Sequence, residues 1–115
     1  MLPGDETMTI QMPAPVAAYF TADKGDGNAV AHCFTENALV TDEGHTHHGR
    51  AAIRKWKDDT SAKFTYTCEP LACEQHDGKV VVRSRVEGNF PGSPVDLRFF
   101  FGLESDKIRS LEIIP

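Results

Sequence analysis

A chain of 115 residues, 40% hydrophobic and 25% charged, has the length of one domain and can bury a core without metal or disulfide staples. Its formal net charge of -5 argues against the basic face that a nucleic-acid binder needs to neutralise phosphate. No apolar run approaches the roughly 18 residues of a membrane span, so neither nucleic acid nor membrane is expected as a partner.

Met1 to Pro15 is polar, carries Asp5 and Glu6, and lacks the basic and apolar segments of a secretion signal. Residues 1–14 therefore read as a flexible arm and residues 15–115 as a single domain. Cys33, Cys68 and Cys73 form no CxxC pair, which fits small reduced thiols in a cytoplasmic chain. Pro15 suits a first helical turn, and Val16, Tyr19 and Phe20 fall on one face of a helix ending near Ala22. Lys24 to Asn28 breaks that helix, and Asp26 or Asn28 can cap the next one. The spacing of Val30, Cys33 and Phe34 predicts that this second helix runs to about Asn37. Leu39 to Asp42 reads as a strand, Glu43-Gly44 as a turn, and His45 to His48 as a brief second strand. Arg50 to about Thr60 is a third helix, with Ala52, Ile53 and Trp56 as its apolar stripe.

Everything after Lys63 reads as strand. Phe64, Tyr66 and Cys68 alternate with Thr65, Thr67 and Glu69, the period of a sheet with two unlike faces. Asp77-Gly78 marks a tight hairpin, and Lys79 to Gly88 follows with Val80, Val82 and Val86 on one face. Phe90 to Pro94 forms a second hairpin loop. Val95, Leu97, Phe99, Phe101 and Leu103 share a face of the next strand, and Ser105-Asp106 turns into a last strand from Lys107 to Ile114. Helices first and a meander of strands afterwards make an α+β domain, with three helices from the N-terminal half on one side of a sheet. Only a strongly curved sheet can wrap three short helices. The result is a cone with a cavity, a natural small-molecule site.

Asp42 is the residue that suggests chemistry. It ends an apolar strand, where desolvation raises a carboxylate's pKa towards the range of a useful base. An Asp before Glu-Gly is also ordinary turn chemistry, and both readings stay open on the residues alone. Tyr19 on the first helix can extend its hydroxyl into the same cavity while its ring packs.

The element order, the Tyr-bearing first helix and the passage Asn37 to Asp42 followed by His48-Gly49-Arg50-Ala51-Ala52-Ile53 resemble the SnoaL-like proteins. These belong to the nuclear-transport-factor-2-like superfamily, alongside ketosteroid isomerase. The resemblance spans Pro15 to Ile114 and implies a cystatin-like α+β roll with a mixed, mostly antiparallel sheet. It says little about function, because this superfamily hosts isomerases, cyclases, dehydratases, epoxide hydrolases and non-catalytic modules. Asp42 falls where ketosteroid isomerase carries its proton-abstracting Asp, and Tyr19 where it carries its oxyanion-hole Tyr; that enzyme is a standard case of this logic. The second oxyanion donor aligns with Phe99, and Asp96 lies on the opposite strand face. Loss of one such donor makes efficient steroid isomerisation unlike this chain.

The expectation is a cofactor-free enzyme of isomerase or cyclase type acting on a small hydrophobic carbonyl compound. Asp42 is its base, Tyr19 its enolate donor, and His45 or His48 its aid in proton return. Phe34, Val40, Trp56, Val82, Phe99 and Phe101 are expected to line the pocket. The alternative is a non-catalytic ligand-binding or dimerisation module of the same fold. His45 and His47 have the i, i+2 spacing of a two-His metal site, but a rim position and a family that generally works without metal make no metal the expectation. Phe100, beside Arg98 on the outer face with Thr65 and Thr67, suggests that this face packs against a second copy, and the resemblance also implies a homodimer.

Overall fold

Two prolines open the first helix among the described residues, 10–115, of the computed structural model. The arm expected over residues 1–14 lies outside the described residues as far as residue 9. Helix α1 spans Ala14–Ala22, with Pro13 at its N-cap and a Pro in its first turn, where a missing N–H costs nothing. It buries Val16, Tyr19 and Phe20. Asp26 caps α2, Gly27–Ala31, by accepting the Ala29 N–H at 3.0 Å. A Cβ at Gly27 would collide with the Arg54 carbonyl, so the glycine lets α2 press against the third helix. The Gly27 N–H donates to Asp58 at 2.8 Å in the same contact.

The second helix is shorter than its spacing predicts. It ends at Ala31, and Phe34 opens strand β1, Phe34–Asp42. The chain's last strand claims this backbone: Ile108 N–H donates to Cys33 O at 2.9 Å, and Phe34 pairs with Ile108. Arg50 adds a hydrogen bond to Phe34 O at 2.9 Å. Val30 from a helix and Phe34 from a strand both reach the core, so an apolar i, i+4 spacing arises without a continuous helix.

Strand β2 is His45–His48, helix α3 is Arg50–Lys63, and β3 is Tyr66–His76. Strands β4, Lys79–Gly88, β5, Val95–Glu104, and β6, Lys107–Ile114, complete the chain. The six strands form one sheet in the order β2-β1-β6-β5-β4-β3, parallel between β1 and β6 and antiparallel elsewhere. This is the mixed, mostly antiparallel α+β roll that the resemblance implies. The Glu43-Gly44 and Asp77-Gly78 turns have positive φ at both residues, as two-residue hairpins of right-handed twist require.

Register decides which side chains enter the cone. A shift between Phe34 and Leu39 on β1 re-sets its pairing, after which Ala38 and Val40 are buried and Asp42 shares their face. Asp42 pairs with His45 and Val40 with His47, so both imidazoles lie on that inner face. His48 pairs with exposed Leu39 and turns to the other side. Below the cone, Tyr19, Phe20, Phe34, Phe99 and Phe101 pack edge to face, with Tyr19 to Phe101 at 5.4 Å and Phe20 to Phe99 at 5.3 Å.

Candidate functional site

The curved sheet and helices α1 and α3 enclose a cavity of about 590 Å³. Its apolar wall includes Val86, Phe90, Val95, Leu97, Phe99 and Ile113. Exposed Glu43, His45, Asp59 and Lys63 stand on its rim. Two polar clusters interrupt the wall.

The first is built on the end of β1. Trp56 Nε1 donates to Asp42 Oδ2 at 3.1 Å, joining α3 to the strand. Ile53, Trp56, Lys57 and Thr60 recur at i, i+3, i+4 and i+7, so one face of α3 runs from the core at Ile53 into the cavity. The His47 ring lies 6.0 Å from that of Trp56, tilted by 33°. Burial raises the Asp42 carboxyl above its ordinary range, and the Trp56 hydrogen bond pulls it part of the way back. Glu43 adds to the rise, while His47 and His45 oppose it.

The second cluster went unread in the sequence. Lys57 is only 3% exposed, and its ammonium lies 3.1 Å from Asp23 Oδ1 and 2.9 Å from the Tyr66 hydroxyl. Tyr66 donates in turn to Asp23 at a longer 3.4 Å. Burial alone would pull Lys57 down, but the Tyr66 hydrogen bond and the Asp23 carboxylate outweigh it and hold the ammonium above its usual range. The Tyr66 hydroxyl is raised by burial and by Asp23, and Lys57 opposes that rise. Cys68 beside them is pushed up to about 12 by burial and the Asp23 charge, which keeps it an unreactive thiol. The signal for Lys57 was its place in the apolar stripe, four residues after Ile53.

Tyr19 stands on the wall near both clusters. Its hydroxyl is held well above its ordinary pKa by burial first, then by Asp23, Cys68, Tyr66 and Asp42. That direction favours the protonated hydroxyl, a hydrogen-bond donor. Among the described residues no hydrogen bond joins it to Asp42.

Of the residues singled out from the sequence, Asp42, Tyr19, His45, Trp56 and Phe99 stand together on the cavity wall, with His47. Phe34, Val40, Val82 and Phe101 do not line it; each is fully buried in the packing beneath, because the cone narrows onto the Tyr19 ring. His48 is absent from the wall, since strand alternation turns it away. Asp96 faces outward, 3.5 Å from Arg83. Cys33, Cys68 and Cys73 are free thiols. Among the described residues no three His, Cys, Asp or Glu side chains converge in a metal-binding group, and no helix is long and apolar enough to cross a membrane.

Residues 16–111 match the family model of the SnoaL-like domain. No curated protein matches the chain. A candidate polyketide cyclase from Sinorhizobium meliloti is 39% identical; the alignment covers 89% of this chain and 94% of that one, with a TM-score of 0.84. SalBIII, an epoxide hydrolase/cyclase-like enzyme of pyran ring formation in the polyether salinomycin, is 28% identical over 87% of this chain and 86% of its own, at a TM-score of 0.72. A hypothetical protein of ketosteroid isomerase-like fold from Catenulispora acidiphila, solved with trimethylamine, shares the fold at a TM-score of 0.81. It is 21% identical, over 91% of this chain and 87% of that one.

Proposed function

The chain belongs to the SnoaL-like family, and from that premise we propose that it is a cofactor-free enzyme of isomerase or cyclase type acting on a small hydrophobic carbonyl compound. The observation that carries this reading is Asp42: a carboxylate on the wall of an apolar cavity, raised by burial and tethered by Trp56. A base of this kind takes a proton from carbon next to a carbonyl; the C–H electron pair forms the new C=C bond and the carbonyl π pair moves onto oxygen. Tyr19, which keeps its proton, donates to the oxygen as it becomes negative. On this reading His45, opposite Asp42 on β2, helps return the proton, while His48 faces the other way. The candidate polyketide cyclase supports the same class, because an aldol ring closure through an enolate begins with this step.

The test needs no natural substrate. Apolar aryl ketones and β-diketones in deuterated water should exchange their α-protons faster with the protein present, read by proton NMR. Asp42→Asn should lose about 10²- to 10⁴-fold of that acceleration and keep the wild-type circular dichroism spectrum. Equal exchange by the folded variant ends the reading.

A ligand-binding module without catalysis is favoured by Phe99, an apolar ring on the wall where the resemblance puts a second donor. On that reading the wild type binds such ketones and accelerates no exchange.

A further inference from the structure

Lys57 is a charge set among apolar neighbours, and its surroundings specify what it can hold. Moving an ammonium out of water is costly unless its hydrogens are engaged. The group has three donors. Among the described residues, Asp23 and Tyr66 take two of them, at 3.1 and 2.9 Å. Lys57, Tyr66 and Asp23 all belong to the cavity wall, and among the described residues the third donor has no protein acceptor. The Tyr66 hydroxyl accepts from Lys57, while its own hydrogen reaches Asp23 across a weak 3.4 Å. That hydrogen can turn to a ligand oxygen at little cost. Lys57 and Tyr66 are each raised, a direction that suits hydrogen-bond donors.

We propose that Lys57 and Tyr66, braced by Asp23, form a seat for an anionic oxygen, the enolate or phenolate oxygen at one end of an otherwise apolar ligand. The class of ligand follows from the surroundings. The adjoining wall of Phe90, Val95, Leu97 and Phe99 takes an aromatic or alicyclic body. The catalytic half of the assignment rests on Asp42 as the base: as its carboxylate takes the carbon-bound proton, the carbonyl π pair becomes the oxygen charge that Lys57 N–H and Tyr66 O–H receive. The seat then supplies, from α3 and β3, the second donor that Phe99 cannot. The binding half stands without that step.

The test is equilibrium binding of 4-nitrophenolate and its uncharged analogue 4-nitroanisole at one mildly alkaline pH, followed by absorbance and calorimetry. The wild type should favour the phenolate by about tenfold or more, the worth of hydrogen bonds to a charged acceptor. Tyr66→Phe and the neutral double variant Asp23→Asn/Lys57→Met should lose most of that preference and bind nitroanisole within a few-fold of wild type. The double variant is used because Lys57→Met alone strands the Asp23 charge and endangers folding; should it also fail to fold, Tyr66→Phe decides. Absence of a phenolate preference in the wild type, an undiminished preference in the variants, or an equal loss for both probes overturns the seat. Asp42→Asn separates the two readings. If it keeps the preference and loses α-proton exchange, both hold. If it exchanges like wild type and keeps the preference, the base reading fails and the seat stands.

Discussion

Asp42 and Trp56 show how two side chains on different elements set one proton affinity. Burial favours the neutral acid, and the indole N–H, at 3.1 Å, favours the carboxylate. A base works ionised, so activity should rise with pH through the raised pKa of Asp42 and level off above it. Trp56→Phe removes the group that favours ionisation. The carboxyl then moves further up, and the acid limb of the rate profile moves to higher pH with it. At a fixed mildly acidic pH the variant should be several-fold slower, and the deficit should narrow as pH rises. An α-proton exchange profile across pH measures this; a deficit constant at every pH would mean that Trp56 acts only by packing. The carboxylate was legible in the sequence because a strand and a turn bracket it. Its partner was not. An indole in an apolar stripe reads as packing, and only the meeting of α3 with the end of β1 reveals the hydrogen bond.

At the scale of elements, alternation and turn chemistry carried most of the strand boundaries, since Asp77-Gly78 and the valines of β4 admit few other readings. The boundary between α2 and β1 was misread for a physical reason. Val30, Cys33 and Phe34 fit a helical face, but pairing with β6 outweighs a local spacing. Lys57 was missed for the opposite reason: a lysine in a helix reads as solvated, and its partners come from the C-cap of α1 and from β3, 34 and 9 residues away in sequence (57 − 23 and 66 − 57). Lys57 therefore ties three elements together. With side chains only 4% and 11% exposed, the Lys57–Asp23 pair is buried enough that breaking it leaves a costly lone charge. Lys57→Met should lower unfolding free energy by about 3–5 kcal/mol, and Asp23→Asn/Lys57→Met should recover most of the loss. Urea unfolding with an unchanged slope measures both. A single variant within about 1 kcal/mol of wild type would mark the pair as solvated.

Across the whole molecule, the two faces of the sheet answer to different demands. On the outer face Arg83 meets Asp96 at 3.5 Å, and the Arg98 guanidinium covers the Phe100 ring at 5.7 Å. The inner face is divided. Its lower rows close into the aromatic core, while its upper rows, through Val86, Leu97 and Phe99, stop short of α3 and leave the cavity. Side chains around such a space lose dispersion contacts that a closed core would have. Filling it should therefore trade function for stability. Leu97 is a half-buried wall residue of β5, packed against the core on one side and bordering the cavity on the other, so a larger ring there extends into the cavity. Leu97→Trp should bury enough extra apolar surface to add about 1 kcal/mol, a rise in Tm of roughly 4–8 °C for a domain of this size. The same variant should lose 4-nitroanisole binding and ketone exchange together, because the ring occupies the place of the ligand's apolar body. Calorimetric melting and exchange on one preparation decide it. A higher Tm with exchange intact would show that the reacting molecule sits elsewhere.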